Sequence, residues 1–368
     1  MKVAIIGHLK HPIAKPFSGG LEAFTFDYVA ALRDRGHDVT LFASGDSDHE
    51  LGLSSVVDVA TVRDSISRLG HIDHDWIEAV EDEAYGALMD RLAMEHFDVI
   101  HNHSLSPIPL RFASCQPCPV ITTLHVPPLP RMTQEVRRRG AGSCGIFVNI
   151  SQANAKSWSP ELGQQRIIYN GVNENFWMQH QASKENRAIW FGRILADKGT
   201  HLAIEAAHEA GMPIDVVGPI SDQVYFDNEV SPRLSSEDVY HGHQDHEVLS
   251  KLIGRAAVSV VTPCWDEPFG LVVTESLASG TPVAGFRRGA LPEIVRQSVG
   301  RLADPGDTED LARCISECRA LDGGVCRRYV QEKFGFDRMV VAYEELYSRI
   351  ELPRPLMRHS SIDGATAA

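Results

Sequence analysis

The chain has 368 residues, 43% hydrophobic and 23% charged, a size and balance that suit two globular domains or one large α/β barrel. Its 35 basic against 49 acidic residues give a formal charge of −14, which argues against a nucleic-acid partner, because phosphate backbones need a concentrated basic face. No apolar run approaches the ~20 residues of a membrane-spanning helix. Met1–Gly7 is too short for a signal peptide, and seven scattered cysteines fit a reducing compartment, so a cytoplasmic location is expected.

In chain order, Lys2–Gly7 reads as a buried strand, Gly20–Arg35 as a helix closed by Gly36, and Asp38–Ala43 as a strand. A long loop, His8–Ser18, separates the first strand from its helix and ends on Gly19 and Gly20. It lacks G-x-G-x-x-G, which counts against a dinucleotide-binding dehydrogenase. Two glycines at a helix start let backbone amides approach a phosphate or sugar; a tight turn is the plainer reading. Trp76, Val80, Leu88 and Leu92, at multiples of four, suggest one face of a helix over Asp75–Glu95. Phe97–Asn102, Val120–Leu124, Gly145–Ile150 and Ile167–Tyr169 follow as strands. Cys115 and Cys118, interleaved with Pro117 and Pro119, read as loop thiols.

The pattern then restarts. Arg187–Gly192 is a fresh apolar strand, Thr200–Ala210 a helix capped by Gly211, and Ile214–Val217, Val239–His241, Val258–Val261 and Pro282–Gly285 are further strands. Such alternation predicts parallel sheets covered by helices. The expected organisation is an acceptor-side Rossmann-like domain over 1–172, a nucleotide-sugar-side domain over 173–335, a helix over 336–350 returning to the first domain, and an unstructured tail over 351–368. Open α/β domains bind ligands beyond the carboxyl ends of their strands, so a cleft between two of them is a natural site.

The most informative segment is Asp266-Glu267-Pro268-Phe269-Gly270-Leu271-Val272-Val273-Thr274-Glu275-Ser276. On a continuous helix Glu267 and Glu275 would lie ~12 Å apart along the axis. Pro268 and Gly270 oppose that, placing Glu267 in a loop and starting the helix near Leu271, with Glu275 a turn inside. Amides at such a start favour a diphosphate. The plainer reading is a cap and a solvated helix face. A glycosidase would need two carboxyls flanking one bond, which this spacing does not supply.

Glu267–Glu275 matches the E-x7-E signature of glycosyltransferase family 4, a group of retaining enzymes with the GT-B fold. Gly280-Thr281-Pro282-Val283, Gly289-Ala290-Leu291-Pro292-Glu293-Ile294, Gly19-Gly20, Asn170-Gly171-Val172 and Gly192-Arg193 followed by Lys198-Gly199 resemble the family's other landmarks, in order. The resemblance implies a GT-B α/β fold and transfer of a sugar, most naturally from a UDP-sugar, to a hydroxyl acceptor. It implies that Glu275 accepts from ribose hydroxyls and that Glu267 contacts the transferred sugar. Amides around Phe269, Gly270, Leu271 and Val272 would hold sugar and phosphates, facing Gly19 and Gly20. Arg193 and Lys198 would neutralise the diphosphate, where fixed cations stabilise a leaving group that gains charge; alone, they would read as surface cations. His125 would touch the reacting region, and Gly242 with His243 would hold the nucleobase. One departure stands out: Pro263-Cys264-Trp265 replaces the family's usual Ser before the loop, which leaves donor selectivity open.

No D-x-D lies near this segment, so no essential metal and no cofactor are expected. His101 and His103 share one side of an extended segment without a third ligand beside them. Arg131, Arg137, Arg138 and Arg139 form a basic stretch that could meet an anionic acceptor or a membrane surface, or simply water. The alternatives to transfer are an epimerase or phosphorylase of the same fold, or a non-catalytic nucleotide-sugar-binding protein. The acceptor and oligomeric state are not legible.

Overall fold

Among residues 1–179 and 183–350, which the structure (a computed structural model) describes, the apolar runs become two wholly parallel sheets. The first contains β1 (Lys2–Ile6), β2 (Asp38–Ser44), β3 (Leu53–Val57), β4 (Val99–Asn102), β5 (Val120–Leu124), β6 (Ile146–Asn149) and β7 (Arg166–Ile167). The second contains β8 (Glu185–Phe191), β9 (Ile214–Val217), β10 (Val239–Tyr240), β11 (Ala256–Val261), β12 (Val283–Phe286) and β13 (Gly300–Ala303). Their orders are β3-β2-β1-β4-β5-β6-β7 and β10-β9-β8-β11-β12-β13. Both reverse direction beside their first strand, between β1 and β4 and between β8 and β11. Loops leaving the carboxyl ends at such a reversal diverge and open a crevice.

Each sheet is buried on both faces, which is why its central strands are apolar without alternation. Ile5, Val148 and Tyr28 pack on one side of the first sheet, and Ile6, Tyr85 and Ile100 on the other. The second sheet is likewise covered by two clusters, one around Val273 and Leu277, the other around Ile204 and Ile315.

Several elements differ from the sequence-based expectation. β3 and β13 are additional; Leu53-Ser54-Ser55-Val56-Val57 and Gly300-Arg301-Leu302-Ala303 are edge strands whose polar residues hide the strand signal. β7 is only Arg166–Ile167, paired with the end of β6 before the chain turns towards the second sheet. The helix His74–Leu92 buries Ile77, Glu81, Tyr85, Leu88, Met89 and Leu92, so Trp76 and Val80 lie at the margin of its face. The expected tail, 351–368, falls outside the described residues.

Two crossings join the sheets. Val172 donates to the carbonyl of Phe334 at 2.9 Å, so the outgoing and returning segments run side by side. The returning helix, Phe336–Arg349, packs Tyr343, Leu346 and Tyr347 into the first sheet's core. Tyr347 Oη meets Tyr28 Oη at 2.7 Å, and Glu344 binds Arg35 at 2.8 Å. Beyond the crossings, Glu293 accepts from the amides of Gln152 and Ala153 at 2.9 and 2.8 Å, where the helix Gln152–Leu162 begins. A carboxylate is favoured there by unpaired amides and the helix dipole. Ser151 Oγ donates to Pro268 O at 2.5 Å, fixing the loop that carries Glu267 to the first sheet's side.

Candidate active site

The loops leaving β8 and β11 meet at the second sheet's reversal point. Lys198 closes the first and Glu267 lies in the second; Lys198 Nζ is 2.6 Å from Glu267 Oε2. Trp265 Nε1 donates to the same oxygen at 3.0 Å, and its ring lies 4.9 Å beneath the ammonium. Trp265 was not among the residues expected at the site. It is a aromatic donor that orients Glu267 and gives Lys198 a π face.

Two glycines make this pairing attainable. Gly199 has φ +63°, and a Cβ there would stand 2.2 Å from Thr262 O, so only glycine lets Lys198's loop close onto the end of β11. Gly289, at φ +55°, passes so near the Glu267 backbone that a Cβ would stand 2.3 Å from its O and 2.4 Å from its N. Ala290 N then donates to Glu267 O at 2.9 Å. The loop that holds the carboxylate is therefore clamped by the segment after β12.

Gly270, at φ +87°, precedes the helix Leu271–Ala278, whose start faces the first domain: a Cβ on Gly20 would lie 3.0 Å from Leu271 Cδ1. Gly19 is fully extended at φ −169° and makes the N-cap of the helix Gly20–Asp34. Phe269 is 2% exposed, so its backbone, not its ring, is what it can offer a ligand. Leu271 and Val272 are half-buried at the helix start.

Glu275 follows one turn in. Burial, together with the negative charge of Asp27, pushes its carboxyl up to about 8, and burial raises Asp27 itself to about 6. Asp27 belongs to the helix Gly20–Asp34, so the acidic field reaches Glu275 from the opposite domain.

Arg193 is exposed at the end of β8; burial lowers the pKa of His11 in the loop after β1, and the Arg193 cation adds to the lowering. Phe17 of the same loop contacts His246 of the second domain, with ring centroids 5.6 Å apart. Gly242, at φ +68°, and exposed His243 form the turn after β10. That turn is anchored by His241 on Asp215 at 3.0 Å and by Gly218 N on Gly242 O at 2.8 Å.

His125, which follows β5, is 8% exposed, with Phe24 beside it and its Nε2 2.8 Å from His103 Nδ1. The His101 ring is tilted against that of His103 with centroids 4.0 Å apart, and it contacts Tyr347 Oη and Thr123 Oγ1 at 2.6 and 2.7 Å. Burial drives all three imidazoles down, His125 to about 3, so they are neutral at physiological pH. His125 can exchange a hydrogen bond but cannot supply a cation. Among the described residues, no three His, Cys, Asp or Glu side chains are grouped to hold a metal ion.

Three of the four arginines in the basic stretch pair with carboxylates. Arg131 pairs with Glu78 and Asp82, Arg137 with Glu161, and Arg138 with Glu135, while Arg139 reaches the Ser114 hydroxyl. No helix among the described residues is long and apolar enough to cross a membrane.

Two reversed parallel sheets facing each other, with a lysine–glutamate pair and a helix start at the reversal point, define a GT-B protein. Family models agree: residues 18–176 match the model described as Glycosyltransferase Family 4, and residues 172–328 that described as Glycosyl transferases group 1. The chain belongs to this glycosyltransferase family. Its relatives include glycogen synthase of Mycobacterium tuberculosis, 24% identical over 245 residues; the matched stretch spans 59% of this chain and 59% of that enzyme. Sucrose-phosphate synthase of Thermosynechococcus elongatus superposes with a TM-score of 0.76 at 20% identity, covering 94% of this chain and 98% of that one. Anabaena HepE, solved with UDP and glucose, superposes with a TM-score of 0.70 at 17% identity, covering 95% and 100%.

Proposed function

We propose that this chain is a retaining glycosyltransferase that moves a hexose from a nucleotide-diphosphate sugar, in the first instance a UDP-sugar, to a hydroxyl acceptor in the cytoplasm, without a metal. The observation that carries this reading is the convergence of Lys198, Trp265 and Glu267 beside the start of the Leu271–Ala278 helix. Arg193 and Lys198 would take the diphosphate, with amides at Gly270, Leu271 and Val272 completing its cradle. Glu267 would hold the sugar's hydroxyls and Glu275 those of the ribose. The bond from the anomeric carbon to the diphosphate oxygen breaks as the acceptor oxygen bonds to that carbon on the same face. The acceptor's proton passes to the departing phosphate oxygen. No protein nucleophile is required, and positioning with cationic stabilisation carries the rate. The family relatives support the reaction class, and the complex of HepE with UDP supports trying uridine donors first.

The test is transfer from UDP-, GDP- and ADP-sugars to an acceptor panel by chelator-treated enzyme, with product anomers assigned by NMR. Glycosidic product of unchanged anomeric configuration is expected. Product formed only after Mg²⁺ or Mn²⁺ is restored, inverted product, or epimerised donor without transfer would each contradict the reading.

Glu275 supplies a pH test. Its carboxyl titrates near 8 when folded against about 4.5 otherwise, so the folded state holds the proton across that window. Its contribution to stability is therefore full below about pH 4.5 and falls as pH rises towards 8. A Glu275→Gln protein should melt with the wild type near pH 5 and above it near pH 9, while binding donor more weakly. An ionised carboxylate accepts from ribose hydroxyls more strongly than a protonated one, so wild-type donor affinity should climb towards pH 8 and the variant's should not. Parallel melting curves or parallel affinity profiles would remove Glu275 from this role.

A further inference from the structure

The start of the helix Gln152–Leu162, in the first domain, grips the second domain at two points, and both lead to Glu267. Ser151 caps this helix. Its Oγ accepts from Asn154 N at 2.9 Å and donates to Pro268 O at 2.5 Å, one residue beyond Glu267. Glu293 makes the other point. Its Oε2 accepts from Gln152 N at 2.9 Å and from the Tyr169 hydroxyl at 3.0 Å, while its Oε1 accepts from Ala153 N at 2.8 Å. Burial, with the Glu293 charge, pushes the Tyr169 hydroxyl up to about 12, so it stays a donor. The two amides belong to a helix start that cannot pair them internally, and the helix dipole favours an anion there.

Glu293 is tied in turn to the segment behind Glu267. Its amide donates to Ala290 O at 3.0 Å, and Ala290 N donates to Glu267 O at 2.9 Å. The helix start is anchored on its own side as well. Asn154 Nδ2 donates to Leu124 O at the end of β5 at 2.8 Å and to Asn149 Oδ1 at 2.6 Å. Ile150, just before the cap, packs into the second domain's cluster with Leu291 and Ile294. Ser151 and Asn154 are 0% and 2% exposed, so water does not compete for their bonds. The first domain thus holds the Glu267 loop at Pro268 on one side, and through Glu293 and Ala290 on the other.

We propose that Ser151 and Glu293 are positioning residues of the transfer reaction, forming a clasp between the domains that sets the Glu267 carboxylate where it meets the transferred sugar. The proposal rests on the transferase reading and deepens it; neither residue has to touch donor or acceptor. Lys198 and Trp265 aim the Glu267 side chain, whereas the clasp fixes the backbone from which it extends. Releasing either half lets the loop shift against Lys198, and a shift of a fraction of an ångström costs about tenfold in rate.

The experiment uses the full chain with Ser151→Ala and Glu293→Ala, each also made in a Glu267→Ala background. With the nucleotide sugar that supports wild-type transfer, each single variant should lose about tenfold in kcat, with KM within about twofold and calorimetric UDP affinity unchanged. In the Glu267→Ala background neither substitution should lower kcat further, because the clasp acts through that carboxylate. A merely structural role would cost the same in both backgrounds. Hydrogen exchange over residues 264–271, followed without any sugar, should quicken at least about threefold in both variants. Glu293→Gln keeps the shape but loses the charge and one acceptor; it should show the same pattern at smaller size, and it stands in if alanine prevents folding. Unchanged exchange in either variant, a loss confined to KM, normal kcat, or an equal loss without Glu267 would overturn the proposal. Absence of transfer by the wild type from every donor would sink the transferase reading instead, and the exchange result would then decide the clasp by itself.

Discussion

Replacing Lys198 by alanine is expected to lower kcat about 10²–10³-fold, the cost of removing one preorganised group from a developing negative charge. The bond that breaks leaves a diphosphate, and a fixed ammonium stabilises it more at the transition state than in the bound donor. The ammonium is fixed in three ways: by Glu267 at 2.6 Å, by the Trp265 ring at 4.9 Å, and by the close passage of Gly199 over Thr262. Stability should hardly change. The Lys198 and Glu267 side chains are 24% and 15% exposed, and a partly solvated pair contributes about 1 kcal/mol or less. A melting temperature near that of the wild type, with transfer nearly abolished, is the expected signature. Near-normal kcat would remove Lys198 from the chemistry.

Replacing Glu267 by alanine should cost about 10²-fold or more in kcat/KM, with the fold intact. The carboxylate would accept from hydroxyls of the transferred sugar, and it also anchors Lys198 and accepts from Trp265. Losing it leaves the ammonium free to wander and the indole N–H without its partner, so the two cationic and hydroxyl contacts fail together. Effects of Glu267→Ala and Lys198→Ala should therefore be less than additive in the double variant. Gly289→Ala provides a geometric control, because its new Cβ would collide with the Glu267 backbone while leaving every charged group present. Transfer should fall there too, since displacement of a reacting group by about 1 Å costs on the order of 10²-fold. Full activity in Gly289→Ala would show that the position of Glu267 is not critical.

Much of the site could be read from order and spacing, because the chemistry is carried on loops at fixed places in an alternating pattern. Pro268 and Gly270 gave away both the loop at Glu267 and the helix beginning at Leu271. What spacing could not reveal were contacts between segments distant in sequence. Trp265 is adjacent to the signature but shows its part only when Lys198, 67 positions earlier, folds against it. Gly199 and Gly289 matter through single close approaches to Thr262 and Glu267, which no local pattern encodes. The edge strands β3 and β13 escaped notice because half-exposed strands tolerate serine, glycine and arginine.

A crystal grown with a UDP-sugar tests most directly where the diphosphate of the activated sugar rests. The expected density has its phosphate oxygens within hydrogen-bonding distance of Arg193, Lys198 and the amides at Gly270 and Leu271. Glu275 should lie on the ribose and Glu267 on the hexose. A donor bound away from Lys198 and the Leu271–Ala278 helix start, or a cleft that stays empty at saturating donor, would contradict it.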